Sequence, residues 1–123
     1  MLIHLTLPWP PSANHYWRNI VIGRSARTVI SKPGREYKDD VAEIVRAEAA
    51  DKKLSCRLSV VIEAFPPDRR RRDLDNLNKS LLDAMEGAGV YENDSLIDDL
   101  RLIRREVVGK PGRVEVSISE LVV

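Results

Sequence analysis

Apolar and polar residues alternate along several stretches of the chain, the pattern of strands that bury one face. The first stretch, LIHLTLP, covers residues 2–8 and stops at Pro8. The second, RLSVVIEAF, covers residues 57–65, where every second side chain from Leu58 is apolar and Pro66 ends the run. At the C-terminal end, LRLIRREVV and RVEVSISEL flank GKPG, which predicts a β-hairpin.

Two further stretches have helical periodicity. Between Pro33 and about Lys53, apolar residues recur at helical spacing among charged ones, which predicts an amphipathic helix with Ser31 as its N-cap. A second helix is expected after the charged segment 66–73, ending near Gly87 or Gly89. Its core stripe consists of Leu74, Leu77, Leu81, Met85 and Ala88.

The other segments are predicted to be connections. Residues 9–24 contain prolines, Asn14 and Gly23, so they form a loop that leads into a possible short strand at 27–31, and residues 90–99 form a polar connection. The 123 residues, 43% of them hydrophobic, suffice for one core. The order of elements predicts an α/β (α+β) fold: a single domain over residues 1–123, with two main helices packed on one face of a mixed β-sheet.

Composition excludes some settings and leaves the partner open. The 20 basic and 19 acidic residues give a formal net charge of +1, so any attraction to a polyanion must come from local patches. One cysteine, Cys56, cannot form an internal disulfide, and no apolar run has the length of a signal peptide or a membrane span. A reduced, cytoplasmic location without membrane contact is expected.

The candidate chemistry lies in PPDRRRRDLDNLNKS, residues 66–80, where four arginines adjoin two aspartates. Each acidic residue has an ordinary explanation: Asp73 as the helix N-cap, Asp75 in a surface pair with Lys79, and Asp94 further on as a turn former. The arginines, Arg69 to Arg72, favour another explanation because adjacent cations repel each other and contribute nothing obvious to a fold. Together the groups suit a phosphodiester, with arginines on the DNA backbone and aspartates on a metal ion.

Magnesium is the metal that this arrangement favours, because it prefers oxygen ligands and keeps several waters. Asp73 and Asp75 supply two carboxylates at the start of the second helix. A third must come from elsewhere, and the segment ENDSLIDD offers Glu92, Asp94, Asp98 and Asp99.

At these residues the sequence resembles the RusA family of Holliday junction resolvases. PDRRRRDLDNLNKSLLDA is similar to the central signature of that family, and LPWPPSANHYWR, residues 7–18, is similar to its N-terminal one. The spacing between the two, the total length and the ending GRVEVSISE also agree, so the resemblance covers essentially the whole chain.

The resemblance implies a homodimer that cuts four-way DNA junctions by paired symmetrical nicks, using Mg²⁺ or Mn²⁺. It assigns the catalytic and metal-binding aspartates to Asp73, Asp75 and Asp94, and the essential lysine to Lys79. Relatives often have paired aspartates where this chain has Asn93 and Asp94. The expected function is junction resolution in DNA recombination and repair, in a bacterium or its prophage.

Two alternatives to this function stay open at the level of sequence. The chain could bind branched DNA without cutting it, or it could be a nuclease that prefers forks or flaps. Asn14 and Arg18 in the N-terminal loop are further candidate DNA contacts, because the loop carries polar, aromatic and basic groups. The alternative for this loop is that Trp9 and Trp17 pack on the core or at a dimer interface.

Overall fold

The structure, a computed structural model, describes residues 2–122. Six strands, two long helices and two short helical segments follow one another along the chain. They are β1 (Leu2–Pro8), α1 (Ala13–Tyr16), β2 (Trp17–Ile22), β3 (Ser25–Ile30), α2 (Lys32–Ala47), β4 (Leu58–Phe65), α3 (Leu74–Gly87), a 3₁₀ turn (Asp94–Leu96), β5 (Ile97–Arg104) and β6 (Arg113–Glu120). No helix among these residues is both long and apolar enough to span a membrane.

Four strands form the main sheet in the order β1-β6-β4-β5. β6 is antiparallel to both of its neighbours, whereas β4 and β5 are parallel and are joined through α3. Alternate side chains of β1, β4 and β6 are buried and form one core with the inward faces of α2 and α3. The opposite face of the sheet carries polar residues such as Thr6, Glu115 and Ser117. The predicted mixed sheet with two helices on one face is therefore confirmed.

The predicted hairpin around GKPG is wrong. β4 lies between β5 and β6, and residues 105–112 cross over its end to connect them. Backbone N–H groups of Arg105 and Val108 donate to the carbonyls of Ala64 and Pro66, so this crossing extends the edge of β4. The glycine-proline sequence forms a local turn, but the apolar strand β4 lies between β5 and β6 and pairs with both, so its backbone groups and its buried side chains are covered on both sides.

The interpretation of residues 9–24 as a loop is also wrong in part. The segment contains the single turn of α1 and then the whole of β2, which pairs with β3 in a separate two-stranded sheet. The β-branched run Ile20–Ile22 favours a strand, and Gly23 takes a positive φ of 61° in the turn that follows.

The predicted cap of α2 is confirmed, and it also holds the chain that precedes it. The Ser31 hydroxyl accepts a hydrogen bond from the N–H of Gly34 at 3.0 Å and donates to the carbonyl of Tyr16 at 2.9 Å. A side chain at Gly34 would overlap that same carbonyl oxygen, so this position requires glycine. α2 ends at Ala47, earlier than the predicted limit near Lys53.

Candidate active site

Two exposed aspartates mark the N-terminus of α3. Asp73 occupies the N-cap position, but its side chain makes no capping hydrogen bond, and Asp75 lies in the first turn. Within residues 2–122 neither carboxylate has a hydrogen bond or an ion pair. The positive end of the helix dipole favours negative charge at both positions. The two carboxylates are thus available to an external cation rather than used by the fold.

Lys79 lies one helical turn beyond Asp75, but the two side chains do not form the ion pair that this spacing allows. Its ammonium nitrogen lies 5.6 Å from the ring centre of Trp17, within the range of a cation–π interaction. The lysine is exposed, so its charge faces the same solvent as the two aspartates.

The loop 66–73 is organised by Asp68. Its carboxylate accepts a hydrogen bond from the Arg72 guanidinium at 2.7 Å and another from the N–H of Arg70 at 2.9 Å. These contacts, the Arg72 hydrogen bond first, lower the pKa of Asp68 to about 2. The carboxylate therefore stays ionised even in moderately acidic solution and holds the turn there.

Arg72 is consequently different from its three neighbours. Besides the contact to Asp68, its guanidinium lies 5.7 Å from the ring centre of Trp9, and its carbonyl accepts a hydrogen bond from the Arg104 guanidinium at 2.7 Å. Arg72 is partly buried, whereas Arg69, Arg70 and Arg71 are exposed. All four arginines stay predicted DNA contacts: Arg69 and Arg71 are free of ion pairs within residues 2–122, Arg70 lies 3.8 Å from the Asp68 carboxylate, and Arg72 also fixes the loop that leads to Asp73.

The N-terminal loop forms the other wall of a cleft beside Asp73. The cleft has a volume of about 550 Å³ and is lined by Trp9, Pro10, Pro11, Ser12, His15, Arg70, Arg71, Arg72, Asp73, Asn76 and Leu77. The Ser80 hydroxyl on α3 donates to the carbonyl of Pro11 at 2.7 Å and joins the two walls.

The two predicted DNA contacts of the N-terminal segment follow the residues that line this cleft. Asn14 is exposed on α1 and Arg18 is exposed at the start of β2. Trp9 and Trp17 pack partly buried against the core, as the alternative for this loop proposed.

Asp94 is not brought to this site within one copy of the chain. α3 begins at the end of the sheet where β4 finishes, and its 14 residues carry the chain about 20 Å to the other end. β5 then runs parallel to β4 with Ile97 beside Leu58, so Asp94 lies at the beginning of both strands. Within residues 2–122 no group of three acidic, histidine or cysteine side chains is placed to hold a metal ion.

The surroundings of Asp94 leave its own carboxylate exposed. The Glu86 carboxylate accepts a hydrogen bond from the backbone N–H of Asp94 at 2.7 Å, and Asn93 bonds the N–H of Ser95 at 2.8 Å. The side chain that forms the turn is thus that of Asn93, not that of Asp94.

Asp98 and Asp99 do not replace Asp94, because the fold already uses both carboxylates. Asp98 pairs with Arg57, and Asp99 accepts a hydrogen bond from Ser59 at 2.9 Å. Asp73 and Asp75 suit Mg²⁺ as two of its oxygen ligands, and within residues 2–122 of one copy no third acidic, histidine or cysteine side chain joins them.

Three positioning residues were not anticipated from the sequence: Asp68, Arg104 and Glu86. Asp68 follows two prolines and bonds an N–H two residues on, which is the local signature of an aspartate turn. Arg104 acts on a residue 32 positions away, and no local pattern could have indicated that contact.

Comparison with known proteins gives matches over most of the chain. The family model described as endodeoxyribonuclease RusA matches residues 8–119. The crossover junction endodeoxyribonuclease RusA of Enterobacteria phage 82 is 43% identical over 118 residues, which is 96% of this chain and 94% of that protein. The proteins of the same name from Escherichia coli K12 and Shigella sonnei are each 42% identical over 117 residues, which is 95% of this chain and 93% of theirs.

Proposed function

The chain belongs to the RusA family of endodeoxyribonucleases, and we propose that it resolves four-way DNA junctions by hydrolysing two symmetry-related phosphodiester bonds. The observation that carries this proposal is the pair of exposed aspartates at the start of α3, beside a loop with three exposed arginines. Junction resolution serves DNA recombination and repair, so the protein acts on DNA in the cytoplasm of a bacterium or of a phage-infected cell.

Mg²⁺ is the proposed cofactor, with Mn²⁺ able to replace it, and Asp73, Asp75 and Asp94 are its proposed ligands. Bound there, the ion would lower the pKa of a coordinated water and neutralise charge on the scissile phosphate. The free lone pairs of Asp73 and Asp75 support this assignment, since no other group in residues 2–122 uses them.

The basic residues divide into two roles in this proposal. Arg69, Arg70 and Arg71 hold the phosphates that flank the cleavage point, while Arg72 keeps the loop in place through Asp68. Lys79 faces the reacting phosphate as a point charge and stabilises the negative charge that develops on its oxygens. The stacking of Lys79 on Trp17 limits the positions that its ammonium group can reach.

We further propose that the third aspartate comes from a second copy of the chain, because Asp94 lies about 20 Å from Asp73 and Asp75 in its own copy. β5 is an edge strand with unpaired backbone groups. If two copies lie antiparallel along β5, the start of one strand meets the end of the other. Arg104 ends β5 and contacts the loop before Asp73, so the partner copy's Asp94 would approach that loop.

Mixing of inactive variants tests this arrangement. Asp75→Asn and Asp94→Asn should each abolish nicking, whereas a co-refolded mixture of the two should regain it, since half of the dimers then contain one intact site. About a quarter of all sites in the mixture are then intact, so the expected nicking rate is about a quarter of the wild-type rate. Strand nicking is read on a denaturing gel.

A matched control uses two residues from the same half of the site. A mixture of Asp73→Asn and Asp75→Asn should stay inactive, because every site in every dimer then lacks one ligand. Recovery of activity in this control, or its absence in the first mixture, would contradict the shared site.

The substrate class is tested with a four-way junction, a fork and a linear duplex, each with Mg²⁺ and with EDTA. Cleavage of the junction in Mg²⁺ alone is expected. Binding that is equal in both conditions, without nicking, would identify a binding protein. Faster cleavage of the fork would identify a nuclease for other branched DNA.

A further inference from the structure

The hairpin formed by β2 and β3 stands apart from the main sheet. Trp17 and Ile30 face each other at its base, and they are the residues of the hairpin that pack against the core. Each strand has six residues, so the hairpin extends about 20 Å from this base. It therefore projects from the protein as an arm, and this arm is defined by residues 17–30.

The base of the arm is fixed to the body of the protein. The backbone N–H of Ser31 donates to the carbonyl of Tyr16 at 2.8 Å, which ties the residue after the arm to the residue before it. Along the arm, Thr28 donates a hydrogen bond across the strands to Asn19 at 3.0 Å. An isolated two-stranded hairpin is only marginally stable, and these contacts give the arm a defined direction.

The charge of the arm indicates the class of its partner. Residues 17–30 contain three arginines, Arg18, Arg24 and Arg27, and no aspartate or glutamate, although the whole chain has a net charge of only +1. All three arginines are exposed. A segment of this charge is complementary to a polyanion such as DNA.

The tip of the arm carries two exposed apolar side chains next to its turn. Val21 and Ile22, just before the turn at Gly23, are 73% and 57% exposed, so neither side chain is used in folding. Apolar side chains that enter between base pairs unstack and kink DNA. The base of the arm adjoins Lys79 through Trp17, so the arm starts beside the proposed active site.

We infer that this arm inserts Val21 and Ile22 among the unstacked base pairs at the branch point of the DNA, while its arginines hold the adjacent backbones. The inference rests on the proposed function, because it needs branched DNA as the substrate. A branch point is the place where base pairs are already interrupted, so insertion there costs less unstacking than insertion into a continuous duplex.

The test uses a junction with 2-aminopurine at the branch point, whose fluorescence rises when the base unstacks, in EDTA to prevent cleavage. Binding of the wild-type protein should raise the fluorescence. The double variant Val21→Ser, Ile22→Ser should lose this rise and bind the junction about tenfold more weakly, with unchanged affinity for linear duplex. The variant Val21→Leu, Ile22→Leu should retain the rise.

A matched control is Leu2→Ser with Val122→Ser, which removes two apolar side chains of 72% and 86% exposure that lie outside the arm. This control should behave as the wild type. A serine variant of the tip that keeps the fluorescence rise would overturn the inference. So would an equal loss of affinity for duplex and junction, which indicates groove binding, or a fall to monomer mass in sedimentation, which indicates that the tip contacts a second copy.

Failure of the proposed function gives a different result. In that case the wild-type protein itself does not prefer the junction to linear duplex, whatever residues the tip carries.

Discussion

Removal of the hydroxyl of Tyr16 tests how the two walls of the active site are held together. The Tyr16 hydroxyl donates to the Asp83 carboxylate at 2.6 Å and joins α1, in the wall formed by the N-terminal loop, to α3, which carries Asp75 and Lys79. The ring is fully buried and meets the Trp17 ring edge-on, with 4.4 Å between the ring centres. Tyr16→Phe keeps this packing and deletes one hydrogen bond.

The expected loss follows from the kind of acceptor. A hydrogen bond to a charged group contributes ~1.5–3 kcal/mol and one between neutral groups ~0.5–1.5 kcal/mol. Asp83 is 37% exposed, so water partly replaces the hydroxyl and the lower end of the first range, about 1.5–2 kcal/mol, is expected. For a domain of this size that is a fall in Tm of about 6–8 °C.

Tyr37→Phe is the matched control, because that buried tyrosine donates to the neutral carbonyl of Pro8 at 2.7 Å. Its expected cost is about 1 kcal/mol. Urea denaturation followed by circular dichroism gives both free energies of unfolding. If Tyr16→Phe is no more destabilising than Tyr37→Phe, the contact to Asp83 does not act as a charged hydrogen bond and the reasoning fails.

Three further predictions concern charge. Folding raises the pKa of Tyr16, Tyr37 and Tyr91, mainly by burial. The free energy of unfolding should therefore be constant with respect to these groups below about pH 10 and decrease by up to about 4 kcal/mol per pH unit above it. Phenolate absorbance that appears before loss of ellipticity would contradict this. The Asp68 carboxyl, with a pKa of about 2, should remain ionised in an NMR titration until well below its usual value of 3.8, and its ion pair with Arg72 should be lost as the pH falls through 2; a midpoint near 3.8 would mean that the pair does not form in solution. Replacement of Arg69, Arg70 and Arg71 by alanine should reduce the slope of log K against log salt by up to about 2.7, and an unchanged slope would remove these residues from the DNA surface.

Local sequence patterns were sufficient to predict the strands and helices that have a regular spacing of apolar residues or a clear capping residue. The alternation in residues 2–8 predicted β1 to the residue, and Ser31 was correctly predicted as the cap of α2. The stripe from Leu74 to Met85 predicted α3 because residues three and four positions apart lie on the same face of a helix and can pack on one core.

Long-range pairing could not be predicted in the same way. The GKPG sequence indicated a turn correctly, but the partners of β5 and β6 depend on how β4 is best covered, which is a property of the whole sheet. The separation of Asp94 from Asp75 has the same origin. Nineteen positions in the sequence become about 20 Å in space only because a helix and a parallel strand follow each other.

The structural role of Arg72 could not be predicted from the sequence either. Four identical residues in a row give no indication of which one is used by the fold, and the answer depends on Asp68, Trp9 and Arg104, which approach from three different segments.

The parallel pairing of β4 and β5 has a consequence for control of the enzyme in the cell. The carboxylates of one copy are divided between opposite ends of the sheet. Because the proposed active site then needs two copies of the chain, the proposed activity depends on the concentration of the dimer. Newly made or strongly diluted chains would be harmless to the chromosome, and cleavage would begin only where two copies meet. Specific activity should therefore decrease on dilution below the dissociation constant of the dimer, a safeguard that requires no inhibitor.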